Sequence, residues 1–181
     1  MFPDHTFESA PPAAVPALRA TASPGGRVII AVARLATSPQ LLNGFLKLSK
    51  LFESTTLEPM AREVVVMTVA TRNACHICVA MHTAKLTSLA ASPELVAALR
   101  DGKPLPDERL EAVRLFTLEV LATAGDVGDT EVRAFLDHGY TVQNALEVVL
   151  GIGTYTMSTL ANRLTRAPLD EALEPFAWHA A

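Results

Sequence analysis

Cys75-His76-Ile77-Cys78-Val79-Ala80-Met81-His82 holds the only two cysteines of a 181-residue chain, spaced CxxC with a histidine four positions after the second. On a helix, at about 100° per residue, Cys75, Cys78 and His82 fall within roughly one 60° sector. Two thiols and an imidazole on one face suit redox chemistry or metal ligation. Near the start of such a helix, exposed amides and the helix dipole favour a thiolate at Cys75. His82, one turn beyond Cys78, is placed to stabilise a thiolate there or to pass a proton. Buried cysteines also act as small hydrophobes, but that reading leaves the paired spacing and the histidine unexplained. The stripe continues through Leu86 and Leu89, so this face is expected to look inward onto a mostly buried pocket.

Glu63 is the second informative residue. The run Val64-Val65-Val66-Met67-Thr68-Val69-Ala70-Thr71 follows it with no further charge before Arg72. A carboxylate buried in such a run is costly unless bonded or protonated. Desolvation would raise its pKa and make it a proton shuttle. The alternative is that Arg62 and Glu63 lie at the exposed start of the helix. His76 either tunes the thiols or points to solvent. His5, His138 and His179 have no partner pattern. Tyr155 and Asn162 either line a pocket or serve as core and cap. Zinc is the rival chemistry: Cys75, Cys78 and His82 would supply three ligands, with Glu63 only in a catalytic-type site. No second CxxC and no HxxxH supplies a fourth, so no metal and no cofactor is expected. No glycine-rich phosphate loop and no G-x-S-x-G occurs.

Helices must position these groups. Residues 1–26, rich in Pro, Ala and Ser and ending in Gly25-Gly26, read as an irregular arm, suited to lie over a neighbouring subunit. Residues 27–181 read as one helical domain. Arg27 to Ala36 is a short apolar helix. Ser38-Pro39 is an N-cap with proline at the first helical position, opening a helix to about Phe52. Its Leu41, Leu42, Phe45, Leu48, Leu51 and Phe52 repeat at three- and four-residue steps. Leu57-Glu58-Pro59 opens another to about Arg72; three consecutive valines suit a strand, but the apolar pattern is too long for one. Asn73 is the expected cap of the cysteine helix, which runs to about Ala90. Ser92-Pro93-Glu94 opens a helix to about Arg100, and residues 101–106 form a loop. Asp107 caps a helix to about Thr123, with Leu110, Val113, Leu115, Phe116, Leu118 and Leu121 mostly inside. A turn follows, then helices from about Thr130 to His138 and from Thr141 to about Arg166. Gly151 and Gly153 inside the last helix predict close helix approach, offsetting about 1 kcal/mol each. The tail holds the only tryptophan, Trp178, expected to dock on the surface.

Half the residues are hydrophobic and 19% are charged, with a net charge of −4. So apolar a composition predicts subunit contacts and a homo-oligomer. The absence of a basic patch argues against nucleic acid. Residues 1–14 carry no Lys or Arg and no apolar run, so no signal peptide is expected. No segment approaches 18 apolar residues, so no membrane span is expected. Both point to a cytoplasmic protein, where vicinal cysteines are catalytic more often than structural.

The pattern Glu63, Cys75, Cys78, His82 within the stretch from Arg62 through CHICVAMHTAKL resembles the alkylhydroperoxidase D and carboxymuconolactone decarboxylase superfamily. Gly139-Tyr140-Thr141, Leu146-Glu147-Val148-Val149 and Asn162 resemble its C-terminal helix. The resemblance covers roughly residues 35–178 and implies an all-α helical bundle that oligomerises as trimers or hexamers. The decarboxylase branch lacks the cysteine pair, so the implied activity is that of the peroxidase branch. There Cys78 resembles the peroxidatic cysteine and Cys75 the resolving one, the two closing a disulfide. His82 and Glu63 resemble the relay that activates the thiol and protonates the leaving alkoxide. The implied partners are a hydroperoxide substrate and an external dithiol reductant, thioredoxin-like or lipoyl-bearing. One departure stands out: alkylhydroperoxidase D can carry a histidine directly before the second cysteine, where this chain has Ile77 and places its histidine at His76. The alternatives are a general thiol-disulfide oxidoreductase, or a non-catalytic redox-sensing or zinc-binding helical oligomer.

Overall fold

In the computed structural model, which describes residues 1–23 and 25–180, the described residues form nine α-helices and two 3-10 turns, with no strand among them. In chain order the helices are α1 (Val15–Ala20), α2 (Ile30–Leu35), α3 (Pro39–Glu53), α4 (Pro59–Arg72), α5 (His76–Ser88), α6 (Pro93–Asp101), α7 (Glu108–Ala122), α8 (Asp129–Asp137) and α9 (Val142–Thr165). The 3-10 turns are Pro12–Ala14 and Glu171–Phe176. Cap chemistry sets the starts. Ser38, Ser92 and Asp107 accept from the amides of Leu41, Leu95 and Leu110, satisfying donors that no helical carbonyl reaches. Thr141 and Asn144 form a reciprocal box at the start of α9.

α4 is the centre of the bundle, packed by α5, α7 and α9. Ala61 and every residue from Glu63 to Ala70 are buried, so the helix is buried on all faces and the valine run needs no sheet. Burying one valine side chain stabilises by about 1.5–3 kcal/mol, which outweighs the small helix penalty of β-branching. Among the described residues no helix is long and apolar enough to cross a membrane.

α9 crosses close to α3 and α4. A Cβ at Gly151 would lie 2.6 Å from the Phe52 ring and 2.9 Å from Val65 Cγ1, so only glycine fits. Gly153 differs from its expectation. It is exposed and its Cβ would meet nothing within 4 Å, so close approach does not account for it.

Two further expectations are corrected. Residues 1–26 are not wholly irregular. Proline at the first helical positions starts both the Pro12–Ala14 turn and α1. Ala14, Ala17 and Leu18 then bury against Leu35, Leu42 and Ala161 of the same chain, and Asn43 Nδ2 donates to the Ala13 carbonyl at 3.0 Å. Asn73 does not cap the cysteine helix. It ends α4, and its side-chain amide donates to Thr159 Oγ1 at 2.9 Å. Ala74 then turns the chain with φ 50°, and Cys75 becomes the cap.

Glu147, on α9, anchors the α3–α4 loop. Its carboxylate accepts from the Thr56 amide (3.0 Å), the Thr56 hydroxyl (2.9 Å), the Leu57 amide (3.1 Å), Gln143 (2.9 Å) and Asn144 (3.0 Å). Burial pushes its pKa up, but these donors more than offset it and hold it below the ordinary glutamate value of 4.5. The contribution is therefore fully present above about pH 4.5 and is lost as pH falls through the lower folded value. Glu147→Ala is expected to cost about 2–4 kcal/mol in urea unfolding at pH 7. The difference from the parent should shrink towards pH 3, roughly one unit below the free glutamate value; a deficit that stays constant with pH would exclude the ionised anchor.

Candidate active site

The dithiol sits at the start of α5. Cys75 is the N-cap, its Sγ accepting from the Cys78 amide at 3.4 Å. Cys78 lies one turn in, and the two sulfurs stand 2.6 Å apart as free thiols. Both are buried. The inward-facing, buried arrangement read from the spacing is therefore present, with Cys75 ending the cap instead of lying within the helix.

The thiols titrate as a pair. The hydrogen bond with Cys78 draws the Cys75 pKa below the ordinary thiol value, against the effect of burial, and the Cys78 amide adds to it. The neighbouring Cys75 sulfur and burial push Cys78 well up, against contributions from Asn162 and Ser158. Both directions favour charge on Cys75, the sulfur at the helix start.

The acid–base groups come from α4 and α5. Glu63 is fully buried, which excludes the exposed-helix-start reading. Its Oε2 is 2.7 Å from His82 Nδ1. Lys85, one turn beyond His82, holds its ammonium 2.9 Å from Glu63 Oε1, an ion pair rather than a well-directed hydrogen bond, and also pairs with Glu53. The expected rise in the Glu63 pKa is overturned. Burial does raise it, but the bonds and charges of His82 and Lys85 more than compensate, and the net direction is down. Glu63 is thus an anionic acceptor for an N–H at His82 Nδ1, with Nε2 on the other side of the ring.

α9 supplies the opposite wall. Asn162 Nδ2 donates to Cys78 Sγ at 3.4 Å, and its Oδ1 is buried without a hydrogen-bond partner among the described residues. The Tyr155 ring meets His82 edge-on with centroids 5.2 Å apart, and Tyr155 Oη is 3.4 Å from Ser49 Oγ. Tyr155 and Asn162 are both buried next to these groups, Tyr155 against His82 and Asn162 against Cys78. Sequence reasoning missed Lys85, Glu53 and Ser158. Lys85 had a signal, since it lies three residues after His82 on the same helix; Glu53 and Ser158 had none. His76 is half-buried. Among the described residues no three His, Cys, Asp or Glu side chains converge as metal ligands; Cys75, Cys78 and His82 do not form the set the zinc reading needs.

No protein-family model and no curated protein matches the chain. Solved structures do. An uncharacterised peroxidase-related protein from Ralstonia eutropha JMP134, described as an alkylhydroperoxidase AhpD core, superposes with a TM-score of 0.82 at 19% identity, covering 95% of this chain and 93% of that one. An uncharacterised peroxidase-related protein from Silicibacter sp. TM1040 gives 0.76 at 17% identity, covering 95% and 91%. A variant of the debrominase Bmp8 in complex with 2,3,4-tribromopyrrole gives 0.76 at 13% identity, covering 97% and 95%. At these identities the likeness speaks to the backbone, and the backbone agrees over nearly the whole length of each pair. The chain has the all-helical fold of the alkylhydroperoxidase D core.

Proposed function

We propose that the protein is a thiol-dependent peroxidase that reduces hydroperoxides through Cys78 and Cys75. The observation that carries this reading is the buried contact of the two sulfurs beside an unpartnered amide oxygen of Asn162. The fold alone does not select the reaction; the groups around the sulfurs do.

In the proposed cycle the Cys78 thiolate attacks one peroxide oxygen, the O–O bond breaks, and the alkoxide leaves. Cys78 becomes a sulfenic acid and the alkoxide takes a proton to become an alcohol. His82, oriented by Glu63, handles the proton at Nε2. The Cys75 thiol then condenses with the sulfenic acid, releasing water and closing the disulfide. An external dithiol reduces it by exchange; a thioredoxin-like or lipoyl-bearing protein is the chemical class required. The pKa directions favour charge on Cys75, so which sulfur attacks is decided by the two serine variants. Asn162 Oδ1 is free to accept the O–H of a hydroperoxide. A cytoplasmic setting, which keeps thiols reduced, suits such a cycle.

The test is intact-mass analysis of reduced protein before and after one equivalent of organic hydroperoxide. Loss of two hydrogens is expected. Stable addition of oxygen, or no change, would exclude the disulfide cycle.

We further propose that the chain self-associates along the outer face of α9. Val142, Leu146, Val149, Leu160 and Leu164 are exposed by 70%, 73%, 47%, 55% and 69%. With exposed Gly153 between them they form a stripe at three- to four-residue and seven-residue steps, the pattern of a helix–helix seam. A trimer or hexamer is the expected assembly. Leu146→Glu is expected to shift sedimentation towards the monomer while leaving helical circular dichroism intact; an unchanged sedimentation coefficient would exclude this face.

A further inference from the structure

A cavity of about 650 Å³ opens between α4, α6, α7 and the segment around Trp178. Its volume lies within the range of small-molecule sites, roughly 300–1,000 Å³. Neither cysteine and no residue of α9 lines it. Thr68 and Arg72, which do, sit about 140° and 180° around α4 from Glu63. The cavity is thus on the other side of α4 from the relay.

Its charge is unbalanced. Among the described residues, Arg72, Arg100, Lys103 and Arg114 line it, and the one lining side-chain carboxylate, Asp101, is paired with Lys103 at 2.8 Å. Arg100 is held entirely by neutral acceptors. Its Nη1 donates to the Phe176 carbonyl (3.0 Å) and Thr83 Oγ1 (3.1 Å), and its Nη2 to the Ala177 carbonyl (2.7 Å). Among the described residues no carboxylate compensates Arg100 or Arg72. Arg114 is only 8% exposed. Its Nε and Nη2 grip Glu111 at 2.7 and 2.6 Å, and Nη1 has no protein partner among the described residues. A half-buried cation without a counter-charge is costly, and a bound anion removes that cost. Guanidinium groups are the natural receptors for carboxylates. Leu99, Leu118 and the ring of Trp178 supply apolar wall, beside Thr68 and Thr71, whose hydroxyls are bonded to the carbonyls of Val64 and Met67. The indole N–H is already bonded to the Arg100 carbonyl at 3.0 Å, which fixes the ring as part of the wall.

We propose that this cavity binds a small organic carboxylate, its anionic end against Arg72 and Arg100 and its apolar body against Leu99, Leu118 and Trp178. The inference stands independently of the dithiol chemistry. Trp178 is the only tryptophan in the chain, so its emission reports on the site directly. Full-length reduced protein is titrated with benzoate, with benzyl alcohol as its neutral counterpart, and with inorganic phosphate as an anion lacking an apolar body. Benzoate is expected to give a saturable change in emission and to bind at least about tenfold more tightly than either control. The double variant Arg72→Gln/Lys103→Gln alters two exposed side chains and is expected to weaken benzoate by roughly tenfold or more. No saturable change, equal binding of benzyl alcohol or of phosphate, or a folded double variant that binds as the parent does would overturn the proposal. Should the double variant lose its helical circular dichroism, the three-ligand comparison on the parent protein decides the question alone.

Discussion

Replacing Cys78 with serine is expected to bring peroxide consumption down to that of a free thiol in solution, a loss on the order of 10³-fold or more. The reason is chemical. A serine hydroxyl does not ionise at neutral pH, and in the proposed cycle Cys75 resolves the sulfenic acid and does not attack the peroxide itself. Cys75→Ser is expected to behave differently. Its fast phase should survive, one equivalent should be consumed, and the protein should stop with one oxygen added, because the sulfenic acid has no partner with which to condense. Stopped-flow consumption followed by intact mass separates the two variants. The opposite outcome, a silent Cys75→Ser and an oxygen-bearing Cys78→Ser, would assign the attack to the sulfur at the helix start and reverse the two roles.

Glu63→Gln is expected to slow the reaction by about 10²–10⁴-fold, the range of a lost proton relay. The glutamine carbonyl would still accept from His82 Nδ1, so the ring would keep its place. The negative charge facing the His82 ring would be gone, and Lys85 would keep only Glu53 as a partner. Because Glu63 is ionised well into acid, it is the charge and not a titrating carboxyl that acts at neutral pH. Glu53→Gln, which alters an exposed partner of Lys85, should cost less than about tenfold. Both variants should be compared at matched helical circular dichroism, reading kcat/KM against pH. A Glu63→Gln enzyme within about threefold of the parent would exclude the relay.

Much of the fold was legible because its signals are local. Ser38-Pro39, Ser92-Pro93 and Asp107 announce helix starts through single side chains bonding amides three residues on. Glu63, Cys75, Cys78 and His82 could be singled out because thiols, an imidazole and a lone carboxylate are conspicuous in apolar runs. What could not be read depends on distant segments. The Asn73 side chain goes to Thr159, and that choice is visible only once α9 is in place. Burial alone would push the Glu63 pKa up; His82 and then Lys85, both from the next helix, reverse the sign. Glu147 was read as part of a helix pattern, yet its task is to hold a loop about ninety residues earlier. The alanines of residues 10–18 carry no strong periodic signal, and their burial rests on the small groove between α2, α3 and α9.

Cys75 occupies two offices with one atom. In the reduced protein its sulfur receives the amide at the opening of α5 and stands in for the oxygen that serine or aspartate supplies elsewhere. In the proposed cycle the same sulfur would change its bonding when the bridge closes, so oxidation would act first on the opening turn of the helix that carries His82.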